Sequence, residues 1–150
     1  MKFDDLDARM RVFETWHDLS VLPGLHIVVR IDGHGFTRLT RERHPFKGPF
    51  DKRFRDLMLE MLRHLMDCGF RARYGYTQSD EMSVLLHFEE QAFARKERRL
   101  LSILAGEASA RFSLSLGDVA LSIAACRSCP PRSWSSITSG GVWRMRRGIA

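Results

Sequence analysis

Along residues 25–32 the apolar side chains recur at every second position. Ile27, Val29 and Ile31 share one face, while Val28, Arg30 and Asp32 share the other. The pattern predicts a strand, entered through the Pro23-Gly24 break, that packs one face and delivers Asp32 to its C-terminal tip. Upstream, Asp4-Asp5 can cap a short helix to about Trp16, with Leu6, Met10 and Phe13 on one side. Downstream, a basic loop is expected from Arg38 to Pro49. The period then changes to three and four. Phe54, Leu57, Met58, Met61, Leu62, Leu65 and Met66 form a core-facing stripe on a helix capped by Asp51 and ended at Gly69. Core packing explains these methionines, and Cys68 beside them reads as buried filler rather than a nucleophile.

Two further strands are expected at Ala72–Gln78 and Met82–Phe88, joined as a hairpin through Ser79-Asp80-Glu81. A long helix should follow from about Ala92 to Leu116, burying Leu101, Leu104, Ala105, Ala108 and Phe112. Gly117-Asp118 ends it, and Val119-Ala120 opens another strand. Strand, helix, hairpin, helix, strand is close to a split βαβ plan: an α+β fold with an antiparallel, ferredoxin-like sheet and its helices on one face.

That order places two acids together. Asp32 ends the first strand and Asp80 lies at the hairpin tip, so adjacent strands would bring both carboxylates above one sheet edge, as in polymerase palms. Paired carboxylates suit two magnesium ions, one activating the attacking oxygen and the other holding a triphosphate. Either motif alone reads as a turn or a solvated edge; the pair, in this architecture, favours the metal site. Arg95, Lys96, Arg98 and Arg99 crowd the start of the second helix against its dipole. A nearby anion and a solvated basic face explain them equally well.

Charge and cysteines change this picture little. The 150 residues fit one domain, and 44% hydrophobic content indicates a globular chain. The net charge of +6 suggests nucleic acid, but residues 127–150 hold five arginines and no acid, leaving 19 basic and 18 acidic residues before them. The body is nearly neutral. No apolar run suits a membrane span or a secretory signal, so a cytoplasmic location without membrane association is expected. Three cysteines, Cys68, Cys126 and Cys129, suggest free thiols, and Cys126-Arg127-Ser128-Cys129 lacks the second pair that a metal knuckle needs.

Several ordered blocks carry a family resemblance. They are Val29-Arg30-Ile31-Asp32-Gly33-His34-Gly35-Phe36-Thr37-Arg38-Leu39, Pro49-Phe50-Asp51, Tyr74-Gly75-Tyr76-Thr77-Gln78-Ser79-Asp80-Glu81, and Arg95-Lys96 leading into Leu101-Ser102-Ile103-Leu104-Ala105-Gly106-Glu107-Ala108-Ser109. With Ala8–Glu14 as an opening helix, residues 1 to about 120 resemble the tRNA-histidine guanylyltransferase family, in particular its bacterial branch of 3′-to-5′ polymerases. The resemblance implies a palm-like domain that adds nucleotides from GTP or ATP to the 5′ end of tRNA, commonly as a homo-tetramer. By the same resemblance, Asp32, the Gly33 carbonyl and Asp80 would hold two magnesium ions. Asp32, Gly33, His34, Gly35, Phe36 and Thr37, with Ser79 and Asp80, would hold the nucleotide. Gly33 and Gly35 would admit backbone amides close to phosphate oxygens. Phe36 suits a base contact and a core anchor equally, and Glu81 suits support of the metal ligands better than metal binding.

The chain departs from the family in two places. His34 stands where the family has arginine, and Gly48 replaces the basic residue before Pro49, with Lys47 one place early. Lys47, Arg95, Lys96 and Arg99 are the expected triphosphate or tRNA contacts. Two other readings compete. A cyclase-type palm shares the two-carboxylate logic without needing the Tyr74–Glu81 block, and a non-catalytic ferredoxin-like RNA module would stack bases on Tyr74 and Tyr76.

The catalytic domain is expected over 1–121 and an aberrant, disordered tail over 122–150. The family continues with Phe-Asp-Cys-Arg, a Leu-Pro step and Val-Asp-Tyr-Phe-Arg-Trp-Arg, none of which is written here. One reading frame away, the codons of Ser122–Ala125 permit Phe-Asp-Cys-Arg, and those of Ser136–Val142 permit Val-Asp-Tyr-Phe-Arg-Trp-Arg. A frameshifted tail, a damaged last palm strand and a poorly active product are therefore expected, and the neighbouring frame of the coding DNA tests this.

Overall fold

The computed structural model describes residues 3–47, 51–129 and 143–146. Five strands form one antiparallel sheet: β1 (His26–His34), β2 (Ala72–Gln78), β3 (Glu81–Leu86), β4 (Leu121–Cys129) and β5 (Trp143–Arg146), in the order β4-β1-β3-β2-β5. Helix α1 is Phe3–Thr15, α2 a single turn at Phe36–Arg38, α3 Lys52–Asp67 and α4 Glu97–Leu116. The split βαβ plan and its palm-like sheet are present.

The predicted alternation of β1 is what builds the core. Ile27, Val29 and Ile31 are buried in one cluster with Met82, Val84 and Leu86 of β3, under α3 and α4. The stripe of α3 is buried at Met58, Met61, Leu62, Leu65 and Met66. Its cap is Asp51, whose carboxylate accepts the Arg53 backbone N–H at 2.8 Å. Along α4 the buried row is Leu100, Leu104, Ala108 and Phe112, with Leu101 and Ala105 only partly covered. The opposite face of the sheet carries Asp32, Arg30, Glu81, Ser83 and Tyr76 next to the strand ends, with Val28 buried further along it; among the described residues α3 and α4 pack on the other face. Helix α1 forms as expected, yet Leu6, Met10 and Phe13 remain exposed at 42%, 52% and 75%.

Three expectations change. The basic loop after Arg38 begins as helix: α2 continues into a π-helical turn at Leu39–Arg43, closed by the His44 N–H on the Leu39 carbonyl. Residues 48–50, including the Pro49-Phe50 block, lie outside the described residues. The helix expected from Ala92 starts at Glu97. Before it, Phe93, Ala94 and Arg95 form a left-handed turn with φ of 54°, 52° and 59°. Such backbone persists only where its surroundings fix it, and here the fixing group is the Arg95 side chain.

Finally, the palm does not end at residue 121. All nine positions of β4 pair with β1, from His34↔Leu121 to His26↔Cys129. Ser122, Ala124 and Cys126 are partly covered, while Leu121, Ile123, Ala125 and Arg127 are exposed. A period-two pattern thus survives there, and residues 122–129 are strand rather than disordered tail. Residues 130–142 and 147–150, the remainder of that expected tail apart from β5, lie outside the described residues.

Candidate active site at the sheet tip

Register brings the two acidic motifs together. Asp32, near the end of β1, pairs with Glu81 at the start of β3, and Asp80 is the second residue of the two-residue turn before it. The Gly33 N–H donates to the Asp80 carbonyl at 3.2 Å, which ties the β1 tip to that turn. Ser79 takes a left-handed φ of 55° and donates its hydroxyl to the Asp80 carboxylate at 3.0 Å. Glu81 accepts from the Arg30 guanidinium, and its carbonyl accepts the Thr77 hydroxyl at 3.0 Å. Asp32, Asp80 and Glu81 are each half-buried, beside the exposed Ile123 that faces Asp32 across the β4 edge.

Among the described residues no three His, Cys, Asp or Glu side chains cluster tightly enough to make a self-contained metal cage. Two carboxylates and a backbone carbonyl are nevertheless hard oxygen donors. They suit magnesium, which is usually held by one or two carboxylates together with water and substrate phosphate. The donor set therefore fits the cations that the sequence implies.

Packing also requires a glycine at position 33. A Cβ there would lie 2.3 Å from the Phe36 ring. Phe36 is 2% exposed and packs on Phe112 at 4.8 Å between ring centroids and on Phe54 at 6.3 Å. It anchors the loop in the core and leaves no face for a base. Gly35 takes φ +70° ahead of α2, while His34 and Thr37 are exposed.

A second group, missed in the sequence, braces this loop. Asp118 accepts from His44 Nε2 at 2.8 Å and pairs with Arg43, linking the π-helical turn to the α4–β4 connection. The His44 hydrogen bond holds the Asp118 carboxyl below its ordinary value against the opposing effect of burial. Between these elements an open cleft of about 350 Å³ is lined in part by His34, Arg38 and Arg43. The only sequence signal was the richness of residues 38–49 in basic side chains.

The predicted basic contacts divide by position. Arg95 is 3% exposed, and its guanidinium donates to the carbonyls of Val21, Leu22, Leu25, Phe88 and Glu90. Lys96 and Arg98 both hold Asp18, and Arg99 is exposed on the first turn of α4. Since Arg95 grips Leu25, just before β1, this basic helix start lies roughly 20 Å from Asp32 at the strand's usual rise per residue. The reason is helix direction: α4 ends, rather than begins, near the acids. Arg95 belongs to the scaffold, and Lys96 and Arg99 stand at the wrong end of the sheet for a triphosphate at Asp32. Lys47 lies beyond the π-helical turn, and its N–H donates to the Asp51 carboxylate at 2.7 Å, one turn before Phe54 meets Phe36. It stays with the loop.

Cys68 and Cys126 lie away from the acids. Burial raises the Cys68 pKa and pushes Cys126 up to about 11, and β4 runs extended through Cys126–Cys129 without a knuckle turn.

Comparison with known proteins agrees with this fold. A bacterial tRNA(His) guanylyltransferase-like protein solved in complex with GTP superposes with a TM-score of 0.81 at 22% identity, over 89% of this chain and 62% of that one. The tRNA(His) guanylyltransferase of Saccharomyces cerevisiae superposes with a TM-score of 0.77 at 22% identity, over 91% and 61%. In sequence, an uncharacterized protein of Acanthamoeba polyphaga mimivirus is 32% identical over 121 residues, covering 73% of this chain and 40% of that protein. The tRNA(His) guanylyltransferase of Neurospora crassa is 38% identical over 85 residues, covering 57% and 29%. The chain thus spans 40% or less of the length of these sequence relatives. Residues 7–131 match the family described as tRNAHis guanylyltransferase, and the chain belongs to that family.

Proposed function

We propose that this chain carries the nucleotidyltransferase site of its family, transferring a nucleotide from GTP or ATP to the 5′ end of a tRNA. The observation that carries this reading is the meeting of Asp32, Gly33 and Asp80 at one open sheet tip, fixed by the β1–β3 register and the Gly33–Asp80 hydrogen bond. Asp32, the Gly33 carbonyl and Asp80 would hold two magnesium ions. When bound, these would offset triphosphate charge and favour ionisation of the attacking oxygen. The chain's own residues do the rest. Phe36 pins the loop from Gly33 to Thr37 in place, Gly35 supplies its turn, and Ser79 restrains Asp80.

Next to the acids that sheet face is polar, with Arg30, Ser83 and Tyr76, as an incoming RNA end requires. Self-association belongs to the same proposal, supported by the uncovered Leu6, Met10 and Phe13 of α1. A cytoplasmic setting fits, and among the described residues no helix is long and apolar enough to cross a membrane.

The direct test is incubation with tRNA and α-labelled GTP or ATP. Magnesium-dependent label at the tRNA 5′ end is expected, with Asp32→Asn and Asp80→Asn inactive. A cyclic nucleotide as sole product would favour the cyclase reading. RNA binding with no magnesium-dependent nucleotide binding would favour the RNA module.

A further inference from the structure

We propose that Arg30 is a positioning residue of the metal site: its ion pair with Glu81 holds one of three neighbouring carboxylates aside, so that two face the cations. This rests on the magnesium reading of Asp32 and Asp80.

Register creates the problem that Arg30 resolves. Asp32 and Glu81 are directly opposed on β1 and β3, and Asp80 precedes Glu81 in the chain. Directly opposed side chains on a sheet lie about 5 Å apart at Cβ, and like charges there repel. Left alone, Glu81 would add a third negative charge beside Asp32 and compete for its cation.

Arg30 stands two residues before Asp32, on the same face and one row further into the sheet. Its cross-strand neighbours are Ser83 on β3 and Ala125 on β4, neither of them an anion. The guanidinium instead reaches diagonally to the Glu81 carboxylate. Both side chains are nearly half exposed, at 47% and 44%, where an ion pair adds little to stability. What such a pair can still set is local charge and the direction of a carboxylate.

The consequence has a sign. Replacing Arg30 by glutamine frees a negative charge next to the cation site, so cation affinity should rise while productive geometry is lost. Replacing Glu81 by glutamine leaves a positive charge there, so affinity should fall. With both replaced, the site returns to the charge it has in the wild type.

Isothermal titration of the purified chain with Mg2+ alone, repeated with Mn2+, reads this out. Arg30→Gln should bind about three- to tenfold tighter than wild type, and Glu81→Gln weaker by a similar factor. The double variant should return to within about twofold of wild type, and Arg30→Lys should remain close to it. Melting temperatures of all four should stay near wild type. Transfer by Arg30→Gln should fall in kcat despite the tighter cation. If Arg30→Gln leaves Mg2+ affinity unchanged or weaker, the positioning role is wrong. A double variant as weak as Glu81→Gln also overturns it, because Glu81 is then itself a cation ligand. Failure of the magnesium reading looks different: wild type and Asp32→Asn would show the same weak, unsaturable cation binding, and both proposals would fall.

Discussion

Gly33 is the residue at which the demands of core and site meet. Its missing Cβ leaves room for the Phe36 ring, and its N–H holds the turn that carries Asp80. Gly33→Ala is expected to cost about 1–3 kcal/mol of stability, because the added methyl must displace a ring locked between Phe54 and Phe112. It should weaken magnesium-dependent GTP binding as well. Thermal melts with GTP titrations check both, and an unchanged melting temperature would deny the Phe36 clash. Much of this was legible at the level of single residues. Asp32 and Asp80 announce themselves as acids at the ends of apolar runs. Phe36 could not be read, because its fate depends on partners brought in by α3 and α4. Arg95 could be read only as a charge, while its role depends on carbonyls of residues 21–25 and 88–90, supplied by other parts of the chain.

At the scale of elements, Arg95 turns from a candidate ligand into the pin of a strained turn. Arg95→Ala strips hydrogen bonds from five carbonyls and releases three residues held at positive φ. Destabilisation of about 2–4 kcal/mol is expected. The salt dependence of GTP or tRNA binding should not change in those molecules that remain folded. Urea unfolding gives the first quantity and binding at graded salt the second; a flattened salt slope with wild-type stability would restore Arg95 as a phosphate contact. Periodicity did well where one face is buried along an element's whole length, as in β1, α3 and the β2–β3 hairpin. It failed where local backbone departs from the common states, at the π-helical turn Leu39–Arg43 and the left-handed turn before α4. It also undervalued β4, whose small residues Ser122 and Ala124 need only fit beside α4 rather than fill a core.

Across the whole molecule, the loops that frame the sheet are tied by carboxylates held in ionised form. Lys96 and Arg98 lower the pKa of Asp18, and the Arg53 side chain with the Lys47 N–H lowers that of Asp51. His44 does so for Asp118. Burial pushes Glu90 up, but backbone N–H groups of Arg71, Ala92 and Gln91 outweigh it and leave Glu90 lowered. A carboxyl depressed on folding contributes its stability fully above its unfolded pKa, near 4, and loses it as the pH falls through the folded value. Urea midpoints should therefore hold between about pH 5 and 7 and drop below about 4. Asp118→Asn should be less stable near neutrality and show a shallower acid loss, whereas an acid loss unchanged in that variant would contradict the bracing role. The central claim is that a metal-dependent nucleotide site sits where β1 meets the β2–β3 turn. Equilibrium binding of GTP with and without Mg2+ tests it most directly, comparing wild type with Asp32→Asn and Asp80→Asn shown by circular dichroism to be folded. Saturable binding only with Mg2+, lost by at least tenfold in either variant, is the predicted result; equal binding without Mg2+, or in the two variants, would contradict it.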